Sequence, residues 1–188
     1  ERAEAETKLA EARKEDRALV LDVLCKEISQ EAPLLYDLTA LQRDANVRLG
    51  FSADKTLSLA QSLYEKQFIS YPRTGCRYIG SDLFEQIPSL LALLETHPML
   101  GACALALKDS TLNTHSVDDT KLTDHHALVI TENVPGALSG EERAIYDLIG
   151  ARMCEAFSGK CVKAVTTVSL ICGGVPFQGK GIAVRTAG

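Results

Sequence analysis

The feature that most constrains the fold is a change of hydrophobic period along the chain. Residues 18–28, ALVLDVLCKEI, form a short apolar run that we interpret as a strand, although its length leaves a helix possible. Residues 163–188 predict two further strands joined at Gly173-Gly174. Residues 2–16 are rich in Ala, Glu, Lys and Arg and predict a solvated helix. Because strands at the two ends of a chain can pair, we expect the intervening segment to be inserted into a β domain.

Between these ends, apolar residues recur every three or four positions, which is typical of amphipathic helices. In the first helix Thr39 and Gln42 fit a capping box, and Gly50 marks the end. Ser52 fits the N-cap of the second helix, which leads to Tyr71.

A third helix is predicted to begin at Asp82-x-x-Glu85, to restart at Pro88 as a first-turn residue, and to end at His97. The polar residues 108–124 predict a long exposed loop.

Ser139 and Glu142 fit a capping box at the start of the last helix. The predicted fold class is mainly α with flanking β segments. We expect residues 33–158 to form a helical domain that carries Tyr71. This domain would be inserted into part of a β-rich domain, to which residues 1–32 contribute a helix and a strand and residues 159–188 a returning β-hairpin.

Composition and charge exclude several classes of protein. With 46% hydrophobic and 24% charged residues, the 188-residue chain is globular in composition. It has no run of about eighteen apolar residues that would span a membrane. Its net charge of −5 argues against general nucleic-acid affinity, so any contact with a polyanion must be local. The six cysteines lack a C-x-x-C pair and are read as reduced thiols of a cytoplasmic protein. The chain begins without Met, which suggests an excised piece.

Residues 68–80, FISYPRTGCRYIG, contain the most reactive combination of side chains. Pro72 disfavours helical backbone at Tyr71, which is expected to be extended just beyond the second helix. Residues two apart in an extended segment point the same way, so Arg73 is expected beside the Tyr71 hydroxyl. A guanidinium favours the phenolate and fits two phosphate oxygens. The pair is compatible with a nucleophile aimed at a phosphoryl group, although a packing pair is the commoner meaning of such a pattern.

A second polar cluster, His125 and His126, precedes an apolar run. These histidines could hydrogen-bond locally, donate to phosphate or transfer a proton, but two adjacent histidines make a poor metal site. Gln61 and Glu65 lie four apart on the helix that leads to Tyr71, and with Ser70 they form either a solvated face or part of the same groove.

Two stretches of the sequence resemble the type IA DNA topoisomerases, and the topoisomerase III branch in particular. They are residues Leu35 to Ile79, LYDLTALQRDANVRLGFSADKTLSLAQSLYEKQFISYPRTGCRYI, and the later DHHALVIT. The resemblance implies that Tyr71 attacks single-stranded DNA to form a 5′-phosphotyrosyl link. It implies that Arg73 holds the scissile phosphate and that His125 contacts DNA. Further DNA-groove positions are implied for Gln61, Glu65, Ser70 and Thr74.

Two residues depart from the family pattern. Gly75 stands where the family usually has Asp, and Ile130 stands where it has Pro. The resemblance also implies Mg²⁺, bound by an acidic toprim domain that has no counterpart in this sequence. We therefore expect a fragment that is inactive alone and whose partners are single-stranded DNA and the remaining topoisomerase domains. The expected location is the cytoplasm, at the bacterial nucleoid.

Two alternatives stay open at the level of sequence. A non-catalytic helical module that binds DNA or protein would suit the acidic balance and Gly75. A tyrosine recombinase is the weaker alternative, because it needs a histidine and several arginines before the tyrosine, whereas His125 follows Tyr71.

Overall fold

The computed structural model describes residues 2–188 and divides into two compact units. The first combines residues 2–30 with 160–188, and the second comprises Glu31–Gly159. In the chain, the second unit thus lies between the two segments of the first.

The first unit is an antiparallel sheet with one helix. It contains α1 (Arg2–Ala12), β1 (Leu19–Gln30), β2 (Cys161–Cys172) and β3 (Val175–Thr186). The strand order is β1-β2-β3, with Cys25 opposite Thr166 and Thr166 opposite Gly181.

The predicted hairpin at Gly173-Gly174 is confirmed. Both glycines have positive φ, 57° and 75°, as the two central residues of a type I′ hairpin turn require. The strand predicted within residues 18–28 is also confirmed as β1. The predicted N-terminal helix is present, but it ends at Ala12 rather than at residue 16.

The second unit is helical. Its elements are α2 (Leu38–Leu49), α3 (Ala53–Glu65), α4 (Ser81–Phe84), α5 (Ile87–Ala92), α6 (Gly101–Lys108) and α7 (Gly140–Phe157). Its core forms around α7, whose Ile145, Ile149, Met153 and Phe157 are fully buried. Helices α2, α3 and α6 pack against α7.

The start of α2 corrects the predicted capping box. The N-cap is Asp37, whose carboxylate accepts a hydrogen bond from Ala40 N at 2.6 Å. Gln42 instead donates its side-chain amide to Ala53 O at 3.1 Å. The Asp37 carboxylate accepts from the same free N–H groups at the helix start that the Thr39 hydroxyl would have accepted from, and Asp ranks above Thr as an N-cap residue. Gly50 ends α2 with φ 70°, as predicted.

Two other predicted caps are confirmed. Ser52 accepts from Lys55 N at the start of α3. Ser139 and Glu142 exchange both bonds of the capping box at the start of α7. Glu142 also pairs with Lys66 and accepts from Ser62 Oγ at 2.8 Å, so this cap ties α7 to the end of α3.

The helix predicted from Asp82 is wrong in detail. Asp82 and Glu85 do not form the predicted capping box, because Gly80 is the N-cap of the single-turn helix α4. The first N–H of α4, that of Ser81, donates to the distant Asp119 Oδ1 at 3.0 Å. Pro88 does lie in the first turn of α5, but α5 ends before His97. Helix α6 was not predicted. Residues 108–124 are mainly irregular, as expected, with one 3-10 turn at Asp119–Lys121.

Within residues 2–188, we find no helix of the length and apolar character that crossing a membrane would require.

Candidate active site

Tyr71 follows a sharp reversal of the chain at the end of α3. Gln67 adopts the left-handed conformation with φ 63°, and the backbone then returns beside another segment of the unit. Ile69 forms an antiparallel bridge with Ile130. Both isoleucines are buried, so the backbone next to Tyr71 is anchored in the core.

Ser70 joins the two segments that carry the candidate residues. Its hydroxyl donates to Ala127 O and accepts from Val129 N, both at 3.1 Å, and its own N–H donates to Val129 O at 2.9 Å. The predicted DNA-groove residue Ser70 thus has its hydroxyl engaged within the protein. It fixes Tyr71 relative to the segment that follows His125 and His126.

The Tyr71 ring is half-buried between two other rings. The His125 ring centroid lies 4.4 Å away at an interplanar angle of 43°, and the Tyr64 centroid lies 5.4 Å away at 77°, an edge-to-face contact. Within residues 2–188 the Tyr71 hydroxyl has no hydrogen-bond partner. The ring is therefore positioned while its oxygen stays available. Tyr64 itself is 39% exposed.

Tyr71 lines a hollow of about 760 Å³, which we call the Tyr71 hollow. Arg73 lines a neighbouring groove of about 480 Å³ together with Gln61, and Glu65 lines both. The chain bends at Pro72 and Arg73, so the pair does not lie on a straight extended segment as expected. Arg73 is exposed and makes no hydrogen bond or ion pair with the described residues, so its guanidinium is free to meet an anion.

Thr74 is a buried connector. Its hydroxyl donates to His125 O at 3.4 Å and accepts from Cys76 N at 3.0 Å. Thr123 donates its hydroxyl to the same His125 carbonyl at 3.2 Å. These bonds place the exposed His125 against Tyr71, so Thr74 positions the site from below its surface.

His126 also lies in the site, although the resemblance assigned DNA contact only to its neighbour His125. Its Nδ1 is 2.7 Å from Ala127 O, which requires a proton on Nδ1 and directs Nε2 elsewhere. His126 lines the Tyr71 hollow and also a smaller hollow of about 340 Å³ with His125. Its position next to His125 in the sequence was the available signal.

Gln61 and Glu65 lie together on α3. Gln61 Nε2 donates to Glu65 Oε1 at 3.1 Å, whereas Gln61 Oε1 is buried without a partner in the described part of the chain. An unpaired buried oxygen is costly and favours an incoming hydrogen-bond donor.

Gly75 has no steric need to be glycine. A Cβ added there would meet no atom within 4 Å, and its φ is not in the left-handed region. The other family departure, Ile130, is fully buried, and its N–H donates to Met153 Sδ at 3.3 Å. A proline at position 130 could not make that bond.

Two other tyrosines are poorly suited to ionise. Burial raises the pKa of Tyr36, and hydrogen bonding to Asp44 raises it further. Burial also raises the pKa of Tyr146. Tyr36 and Tyr146 are also buried, whereas Tyr71 is half-buried and therefore more accessible than either.

The side chains do not form a Mg²⁺ site that we can identify. Within residues 2–188, no group of three or more His, Cys, Asp and Glu side chains is arranged to hold a metal ion.

Comparison with known proteins identifies the family. The family model described as DNA topoisomerase matches residues 1–188. The chain is 37% identical to DNA topoisomerase 3 of Bacillus licheniformis over 99% of this chain and 26% of that protein. It is 40% identical to DNA topoisomerase 3 of Bacillus subtilis over 84% of this chain and 22% of that protein. It spans about a quarter of the length of these relatives.

Among solved structures, full-length topoisomerase I of Thermotoga maritima matches with a TM-score of 0.71 over 96% of this chain and 30% of that one. At 23% identity, this match shows the shared fold. Together with the family model and the relatives, it shows that this chain belongs to the type IA DNA topoisomerases and is topoisomerase III-like.

Proposed function

We propose that this chain supplies the nucleophile of a type IA DNA topoisomerase, which cleaves and rejoins single-stranded DNA through Tyr71. The observation that carries the proposal is the Tyr71 hydroxyl. It is unpartnered within residues 2–188, while its ring is held by His125 and Tyr64. Membership of the topoisomerase family supports the interpretation of this arrangement as a reactive site rather than a packing cluster.

The proposed reaction is a transesterification. Tyr71 Oη forms a bond to the phosphorus of a DNA phosphodiester, and the phosphorus bond to the 3′ oxygen of the preceding nucleotide breaks. The phenol loses its proton, and the released oxygen gains one and becomes a 3′-hydroxyl. The product is a 5′-phosphotyrosyl link, and the reverse attack by the 3′-hydroxyl rejoins the strand.

The unpaired Arg73 is assigned to the scissile phosphate, because a guanidinium can donate two parallel bonds to its oxygens. His125 is assigned to DNA contact beside Tyr71. Gln61 and Glu65 would line the groove that holds the strand. Ser70 and Thr74 would act in DNA binding by positioning these residues, since their hydroxyls are engaged internally.

The cofactor and the remaining domains belong to the proposal for the longer protein. Mg²⁺ would be held by its toprim domain, so we expect the 188-residue chain alone to be inactive in cleavage. We propose that residues 33–158 form a domain inserted into a β-rich domain, to which residues 1–32 and 159–188 contribute. Strand passage and a change of DNA topology would need all these parts, acting at the bacterial nucleoid.

The test uses the full-length protein that contains this chain and a single-stranded oligonucleotide labelled at its 3′ end, which stays on the protein when Tyr71 bonds to the 5′-phosphate. Tyr71→Phe is expected to abolish the covalent protein–DNA adduct while the protein stays folded. Tyr78→Phe is the matched control, because Tyr78 lies on the same loop but its hydroxyl contacts Lys121 Nζ at 3.4 Å. Adduct formation by Tyr71→Phe at the wild-type level would refute the proposal.

A further inference from the structure

The residues that line the Tyr71 hollow differ in chemistry from those that line the neighbouring groove at Arg73. Its lining includes the buried apolar side chains of Ile69, Val129 and Ile130. Tyr64 and Tyr71 contribute aromatic rings that meet edge to face. At about 760 Å³, it has room for a planar group that packs on an apolar surface.

Hydrogen-bonding groups also line this hollow. The side-chain amides of Gln67 and Gln86 and the carboxylate of Glu132 have no partner among the described residues. Asn133 is held in place, because its amide donates to Gln67 O at 3.0 Å. An apolar surface with unpaired amides and a carboxylate suits a flat, polar-edged ligand.

The charge of the lining disfavours a further phosphate in the body of the hollow. Glu65 and Glu132 contribute two carboxylates, and no lysine or arginine of the described residues lines the hollow. The unpaired Arg73 lies in the neighbouring groove instead. The backbone of a DNA strand is therefore favoured at Arg73, and the Tyr71 hollow is left for an uncharged part of the strand.

We propose that the Tyr71 hollow is a subsite for one unstacked nucleobase that flanks the scissile phosphate, and that it prefers a base with an exocyclic amino group. Proteins bind single strands by packing unstacked bases on aromatic side chains and bonding their edges. A carboxylate only accepts hydrogen bonds, so Glu132 favours the amino group of cytosine, adenine or guanine over the O4 carbonyl of thymine. This inference rests on the proposed function.

The test measures covalent adduct formation by the full-length protein on short oligonucleotides of one parent sequence. Each position on either side of the cleavage site carries, in turn, cytosine, thymine or an abasic residue. At one position, thymine or the abasic residue is expected to raise KM about tenfold with kcat little changed, the size of one lost specific base contact.

Two variants connect that preference to the hollow. Glu132→Gln keeps the size of the side chain but adds a donor, so the discrimination between cytosine and thymine is expected to fall below about twofold. Glu85→Gln is the matched control, because Glu85 is exposed and does not line the hollow. It is expected to retain the wild-type discrimination.

The outcomes separate the subsite from the nucleophile. Normal adduct formation that ignores base identity and abasic residues at every flanking position overturns the subsite and leaves the role of Tyr71 intact. Equal loss of discrimination in Glu132→Gln and Glu85→Gln also overturns it, because the cause would then be overall charge. No adduct with any oligonucleotide from the wild-type protein refutes the proposed function, and the subsite with it.

Discussion

Replacing Ser70 by alanine tests how the structure holds Tyr71 in place. The hydroxyl connects the Tyr71 segment with the segment after His126 by two hydrogen bonds, to Ala127 O and from Val129 N. Ala127 O keeps a second partner, His126 Nδ1 at 2.7 Å. Val129 N has no other bond in the described structure, and Val129 is only 3% exposed, so the substitution leaves a buried N–H without a protein partner.

The expected cost follows from these two losses. A buried N–H left without a partner costs about 1–3 kcal/mol, and the lost bond to a carbonyl that keeps another donor costs about 1 kcal/mol. We therefore expect the free energy of unfolding to fall by about 2–4 kcal/mol, which lowers the melting temperature by roughly 5–15 °C.

The assay compares Ser70→Ala with Ser89→Ala by urea unfolding and by hydrogen exchange of the Val129 amide. Ser89 is exposed on α5 and makes no side-chain hydrogen bond among the described residues, so its replacement is expected to change stability by less than about 0.5 kcal/mol. In Ser70→Ala the Val129 amide is expected to exchange its hydrogen faster than in the wild-type protein. Adduct formation by the full-length protein is expected to be slower with this substitution. Equal stability of the two variants would refute the reasoning.

Three further predictions concern stability and reactivity in the helical unit. Hydrogen bonds from its lysine and serine partners lower the pKa of Glu142 from 4.5 to about 2, so its contribution to stability is complete above about pH 4.5 and is lost as the pH falls towards 2. Acid titration of the unfolding midpoint is expected to be flatter in Glu142→Gln, and an identical profile would contradict this. Burial raises the pKa of Cys154 to about 12, so iodoacetamide at pH 7.5 is expected to label it only after unfolding, as measured by mass spectrometry. Labelling in the native protein would count against it. Gly101→Ala is expected to destabilise by about 1–3 kcal/mol, because its Cβ would lie 2.4 Å from Glu95 O, whereas Gly75→Ala meets no atom within 4 Å and is expected to be neutral. Equal melting temperatures for the two glycine variants would contradict this difference.

The parts of the fold that the sequence predicted depend on local chemistry. Ser52 and the Ser139-Glu142 pair cap helices through bonds within three residues. Gly50 and the Gly173-Gly174 pair occupy backbone conformations that favour glycine. Such signals act over a few residues and can be read without knowing the rest of the structure.

The parts that were missed depend on distant contacts or on competition between similar signals. Asp37 and Thr39 are both reasonable caps, and only the observed backbone decides between them. Helix α6, GACALALK, is made largely of small or weakly periodic residues, and its stability comes from packing against α5 and α7.

The candidate site also combines features that local sequence predicts with features that depend on distant contacts. The proximity of His125 to Tyr71 follows from the bonds of Ser70 and Thr74 across more than fifty positions of sequence, which no local pattern contains. The backbone bends at Pro72 and Arg73, so the straight extended segment expected from Pro72 is not present.

The most direct test of the central proposal is to locate the covalent bond to DNA. The full-length protein is trapped on a single strand labelled at its 3′ end, which stays in the covalent adduct, and the adduct is digested with protease and nuclease and sequenced by tandem mass spectrometry. The proposal predicts a nucleotide phosphate on Tyr71 and unmodified Tyr64 and Tyr78. A phosphate on either of those residues, with Tyr71 unmodified, would contradict the account of this site.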